Sequence, residues 1–126
     1  MEIMHRKFGV QDAVQSFDKE KLREYLEFRI RFLDEELDET KAAAADNDAE
    51  EIVDGLIDLC VIAIGTLDAF GVDARQAWDA VLKANMAKEI GVNPTRQNDF
   101  DLPDLVKPEG WENPSHEGNH GLLGDL

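Results

Sequence analysis

Between Asp18 and Ala45 the chain contains no Gly or Pro and is rich in Glu, Lys, Leu, Arg and Ala, which predicts one long helix. Leu22, Leu26, Leu33 and Leu37 form one apolar stripe at helical spacing. A neighbouring stripe of Tyr25, Phe28 and Phe32 continues into Glu36 and Glu39. Ser16 is the expected N-cap. A second helix is expected after Asp46-Asn47-Asp48, with Asp48 and Glu51 in capping-box form and Gly71 as its stop. From Ile52 to Phe70 it is apolar nearly all round, which predicts a central position. A third helix is predicted from Asp73, paired with Gln76 as a capping box, to about Ile90; its stripe is Ala74, Trp78, Val81, Asn85 and Lys88.

Beyond Gly91 the pattern changes. Pro94, Pro103, Pro108 and Pro114 recur without any period, so residues 91–126 read as an irregular arm with a frayed end after His116. The expected organisation is one all-α domain over residues 1–90, with residues 1–17 as a lead-in holding a short helix; the arm is not a separate domain. Three helices cannot enclose a central helix that is apolar on every side. The expected architecture is therefore a helical bundle completed by oligomerisation, a homodimer or dimer of dimers with a four-helix core shared between chains.

Charge narrows the function. The 126 residues include 13 Lys plus Arg and 28 Asp plus Glu, a net charge of −15. That argues against nucleic acid and anionic membrane as direct partners, since both are polyanions. The longest uncharged run, Leu59 to Leu67, has nine residues, against the ~20 needed to cross a bilayer. Met1 to Val10 carries charges and no apolar core, so no secretory signal is expected. Cys60 is the single cysteine, which excludes an intrachain disulfide and makes a cytoplasmic location the expectation.

The acidic residues are not spread evenly. Between Asp34 and Asp58 lie eleven carboxylates and one basic residue, Lys41. Most charge runs are solvated helix faces. Here, however, Glu36 and Glu39 continue the aromatic stripe, and Glu51, Asp54 and Asp58 share one side of the apolar helix. Buried unpaired carboxylates are costly, and a divalent cation between two antiparallel helices would relieve them by bringing Glu36-x-x-Glu39 opposite Glu51-x-x-Asp54. Oxygen donors select a hard ion, with Mg²⁺ expected and Mn²⁺ as the alternate. A di-iron bundle would need Glu-x-x-His, and no His occurs between residues 6 and 115. Zinc is disfavoured by the lone Cys, and an EF-hand lacks its sixth-position Gly, which is Glu51. Mg²⁺ held by carboxylates commonly recruits phosphate oxygens. Lys88 could meet phosphate and Asn85 a sugar or base edge, although both also suit an ordinary helix C-terminus.

These residues together are familiar. Glu35-Glu36-Leu37-Asp38-Glu39 has the form E-E-x-x-E, Glu51-Ile52-Val53-Asp54 the form E-x-x-D, and Asn85-Met86-Ala87-Lys88 the form N-M-x-K. The ordered set, over about residues 20–90, resembles the MazG-like branch of the all-α nucleoside triphosphate pyrophosphohydrolases, which is related to dimeric dUTPases and phosphoribosyl-ATP pyrophosphohydrolases. The resemblance implies Mg²⁺-dependent hydrolysis of a nucleoside triphosphate to monophosphate and pyrophosphate. It makes Glu36, Glu39, Glu51 and Asp54 the metal ligands, with Asp58 in a supporting or second-metal role. Glu35 would position or deprotonate water, and Asn85 and Lys88 would contact substrate. His5 to Gly9 resembles leaders of some relatives and takes no assigned role. In the arm, Lys107 could bind phosphate and Trp111 stack on a base, although a lone Trp there more often packs on a neighbouring subunit. Two alternatives stay open: the same scaffold acting on dUTP, dCTP or phosphoribosyl-ATP, and a non-catalytic acidic helical protein that binds divalent ions or mimics a polyanion.

Overall fold

The computed structural model describes residues 9–91, 100 and 102–126; His5 to Phe8 and Pro94 lie outside the described residues. It is mostly helical, with helices α1 (Val10–Gln15), α2 (Lys19–Ala45), α3 (Ala49–Ala69) and α4 (Ala74–Met86). Two short strands follow, β1 (Glu89–Gly91) and β2 (Asp104–Val106), and then a 3₁₀ helix over Gly121–Asp125. The chain divides into two compact units: Met1–Ala74 with Asn119–Leu126, and Arg75–Gly118.

In the first unit, local chemistry sets the helix ends. Ser16 does not open α2. Its hydroxyl donates to the Ala13 carbonyl at 2.6 Å and closes α1, and Asp18 caps α2 by accepting from the Lys21 N–H at 2.9 Å. A carboxylate is favoured at that position because it also faces the positive end of the helix dipole. Asn47, with φ 55°, ends α2: its N–H donates to Ala44 O and the Asp48 N–H donates to Ala43 O. Asp48 then accepts from the Glu51 N–H at 3.2 Å and starts α3. One residue thus terminates one helix and caps the next, so the link between antiparallel α2 and α3 is three residues long. As expected, α3 stops before Gly71, whose N–H meets Asp68 O while Val72 N–H meets Leu67 O.

The core of this unit is small and aromatic. Val14, Leu22, Ala69 and Phe70 are buried, with Phe17, Tyr25 and Leu26 packed against them. Tyr25 holds Phe17 and Phe70 with ring centroids at 6.0 and 5.8 Å. Residues 119–126 complete this core and do not fray. Asn119 is buried and bonds the backbone of Asp73 reciprocally, donating from Nδ2 to Asp73 O and accepting from Asp73 N–H at Oδ1. The Leu122 N–H donates to Phe70 O at 2.7 Å, and Leu122, Leu123 and Leu126 pack on the buried cluster.

The expected central position of α3 holds on one side only. Val53, Leu56 and Ile57 are 62%, 52% and 58% exposed in the single chain. Among the described residues, no single helix is long and apolar enough to cross a membrane.

In the second unit α4 ends at Met86, short of the predicted Ile90. Its expected apolar stripe does not face inward: Trp78 is 66% exposed and Val81 is exposed, while Ala84 is buried. The arm is also more regular than its sequence suggests. Glu89–Gly91 pairs antiparallel with Asp104–Val106 in the register Glu89↔Val106, Ile90↔Leu105, Gly91↔Asp104. This non-local partner overrides the helical preference of the segment.

Candidate metal and phosphate site

The carboxylate-bearing faces meet where two small features coincide. Thr40 is buried on α2, with its hydroxyl donating to the Glu36 carbonyl at 2.8 Å. Opposite lies Gly55, buried on α3, where a β-carbon would collide with Thr40 Oγ1 and stand 3.2 Å from Thr40 Cβ. A mid-helix Gly costs about 1 kcal/mol relative to Ala. Here its missing side chain lets the two helices approach. One turn back along α2 from this contact is Glu36, and about one turn forward along α3 is Asp58.

Gly55→Ala should therefore spread the helices and lower stability by about 1–3 kcal/mol, the usual range for overpacking. Adding Thr40→Ala should recover part of the loss, because the Oγ1 collision disappears while a tight Cβ approach remains. Equal melting temperatures for Gly55→Ala and the parent would contradict this packing.

Around Glu36 the electrostatics are one-sided. Burial raises its carboxyl above the ordinary 4.5, and the charges of Glu39, Asp58, Asp54 and Glu35 raise it further. Glu36 and Asp58 are half-buried, whereas Glu35, Glu39, Glu51 and Asp54 are exposed. Glu51 is not among the charges acting on Glu36; it sits nearer the link, in the first turn of α3. Asp54, from the second motif, and Asp58, one turn beyond it, are the α3 charges that act on Glu36. Among the described residues, no three His, Cys, Asp or Glu side chains are gathered tightly enough to clasp an ion as they stand. The donor chemistry nevertheless fits a hard divalent cation, because oxygen-only, like-charged groups from two helices converge on one half-buried carboxylate.

A raised carboxyl pKa has a definite sign in stability. The folded state prefers protonated Glu36, so its penalty is absent below 4.5 and grows as pH rises through the raised value. The metal-free Glu36→Gln variant should then melt above the parent at neutral pH, and the gap should close as pH falls toward 4.5. A gap of the opposite sign, or one independent of pH, would rule out this account.

The sequence reading passed over Arg29. It lies on the Glu36 face of α2, two turns earlier, and spans to α3: Nε donates to Thr66 Oγ1 at 2.9 Å and Nη2 to Ile62 O at 3.1 Å. It fixes α2 against α3 beyond the carboxylates. Its signal in sequence is a lone cation on an otherwise aromatic and acidic stripe.

The remaining candidates belong to the second unit. Asn85 is exposed in the last turn of α4, and Lys88 is half-buried past its end, with its N–H on Asn85 O at 3.1 Å. Lys107 follows β2 directly. Trp111 is half-buried, and its Nε1–H donates to Ala84 O at 2.8 Å. A hollow of about 570 Å³ between α4 and the arm is lined by Lys83, Ala84, Ala87, Pro108, Trp111 and Glu112, among others.

A family model described as phosphoribosyl-ATP pyrophosphohydrolase matches residues 3–85, about two-thirds of the chain. The match covers both acidic motifs and ends at Asn85, before Lys88 and the arm. It falls in the same all-α superfamily as the MazG-like proteins, and names the phosphoribosyl-ATP branch. No curated protein and no solved structure matches the chain.

Proposed function

Because the chain belongs to the phosphoribosyl-ATP pyrophosphohydrolase family, we propose that it hydrolyses a nucleoside triphosphate to the monophosphate and pyrophosphate. The observation that carries this reading is that half-buried Glu36 feels carboxylates from two helices, Glu35 and Glu39 of α2 and Asp54 and Asp58 of α3, beside the close Thr40–Gly55 approach. Glu36, Glu39, Glu51 and Asp54 hold the cation, with Asp58 supporting them from one turn farther along α3. When bound, Mg²⁺ supplies positive charge to phosphate oxygens and acidity to water. Glu35 orients the attacking water and takes its proton. The water oxygen bonds to phosphorus as the phosphoanhydride bond breaks in line, and pyrophosphate leaves. Asn85 and Lys88 contact the substrate, Lys107 meets phosphate, and Trp111 borders that contact.

A second reading, phosphoribosyl-ATP as the substrate, is favoured by the description of the matching family. The two share a triphosphate and the same broken bond. The bare face of Val53, Leu56 and Ile57 supports assembly with a second copy, which would bury it. A net charge of −15 speaks against nucleic-acid and anionic-membrane partners, and the single cysteine suits the cytoplasm.

The test is a panel of canonical and modified nucleoside triphosphates, dUTP, dCTP and phosphoribosyl-ATP with Mg²⁺, with pyrophosphate and phosphate detected separately. Pyrophosphate release that EDTA abolishes is expected. Phosphate as the first product, or no turnover of any member by a folded, metal-loaded protein, would overturn the proposal.

A further inference from the structure

We infer that Lys88 and Lys107 form a two-cation clamp for a condensed phosphate, and that Trp111 is the residue that positions both. The clamp deepens the reading above by naming what binds the polyphosphate in the second unit.

Glu89 and Val106 are the end pair of the β1–β2 ladder, and Lys88 and Lys107 each lie one residue outside it. In a chain with 28 acidic residues and only 13 basic ones, two lysines flank the same end of one ladder.

Both ammonium groups converge on one ring. Lys88 Nζ lies 5.2 Å and Lys107 Nζ 5.0 Å from the Trp111 centroid. The negative face of the indole offsets part of their repulsion, and their separation cannot exceed the sum of those two distances. Among the described residues, neither ammonium has a carboxylate partner. Both are open to an anionic ligand. Two cations gathered on one ring suit a ligand with several charged oxygens along a line, which a chain of linked phosphates offers.

The indole is itself held in place. Residues 108–111 form a turn in which the Trp111 N–H donates to Pro108 O at 3.0 Å and Gly110 takes a φ of 79°. At the ring end, Nε1–H fills Ala84 O, one of the carbonyls that the end of α4 leaves open, because the Lys88 N–H goes to Asn85 O instead. Trp111 therefore joins the turn, the helix end and both lysines. A base stacking on this ring would compete with the ammonium groups, so the indole acts as their platform.

The experiment is calorimetric titration of inorganic tripolyphosphate into the full chain with EDTA present, which removes any contribution of metal held by carboxylates. Lys107→Met should weaken binding at least about tenfold. Trp111→Leu should weaken it comparably while both lysines remain, and Trp111→Phe, which keeps a ring but loses the bond to Ala84 O, should fall between. Lys21 lies over the Phe17 ring at 4.5 Å, so Lys21→Met is the control and should bind as the parent does. Unchanged affinity in Lys107→Met, or equal weakening in Lys21→Met, would overturn the clamp. Turnover keeps the two proposals apart. Pyrophosphate release by the parent with tripolyphosphate affinity indifferent to Lys107 sinks the clamp alone. The expected binding series in a protein that turns over no nucleotide sinks the enzymatic reading alone.

Discussion

Glu39→Gln and Asp54→Asn should each remain folded and release pyrophosphate at least about 100-fold more slowly than the parent. Both substitutions keep the side-chain volume and remove a charge. Both residues are exposed, so neither neutral amide disturbs the core. Each also removes one of the repulsive charges acting on Glu36, so the metal-free variants should melt at or above the parent temperature. Divalent ions should raise the parent melting temperature through binding linkage, and should raise those of the variants less. Near-normal turnover in either variant would remove that residue from the proposed ligand set. Slow turnover with a lowered melting temperature would point to packing instead of chemistry.

Gly121→Ala should lower stability by about 2–4 kcal/mol, an unusually large loss for a single added methyl. Gly121 has a φ of 52°, and a β-carbon there would collide with the Phe70 carbonyl and stand 2.9 Å from the Gly71 carbonyl carbon. The Phe70 carbonyl also receives the Leu122 N–H, so relieving the collision breaks the bond that seats residues 119–126 on the core. Gly124→Ala is the matched control, because its β-carbon would meet only His120 Cβ at 3.5 Å. Deleting residues 119–126 removes Leu122, Leu123 and Leu126 from the cluster and uncovers Phe70, a loss of about 3–6 kcal/mol. Against a typical total stability of about 5–15 kcal/mol, the truncated chain should be largely unfolded at physiological temperature. Thermal unfolding followed by circular dichroism separates the cases. Equal melting temperatures for the two glycine variants would refute the docking of this segment.

What could be read from the sequence was local. The long helix, the Asp48 cap and the stop before Gly71 each follow from a few adjacent residues, and each is present. The acidic motifs identified the superfamily because their spacing carries information that no single carboxylate does. Non-local features were missed. Glu89–Gly91 looks like the end of a helix until Asp104–Val106 is available to pair with it. Residues 119–126 look like a loose tail because Asn119 finds its partner in Asp73, 46 positions earlier. Ser16 and Asp18 are both good caps, and only the length of α1 decides which helix each serves. Motif spacing set Glu36-x-x-Glu39 opposite Glu51-x-x-Asp54. The Gly55–Thr40 approach brings Asp54 and Asp58 to Glu36 and leaves Glu51 nearer the link, a register that depends on which side chains are absent.

The double duty of Asp48 leaves the α2–α3 link without slack. An added or removed residue must either undo one of its two roles or re-phase α3 by one position, and one position turns a helix by about 100°. Such a turn would swing Asp54 and Asp58 off the shared face while leaving every carboxylate in the sequence. The eleven residues between Glu39 and Glu51 thus act as a ruler. A change of length inside that interval should displace the acids as surely as substitution removes them.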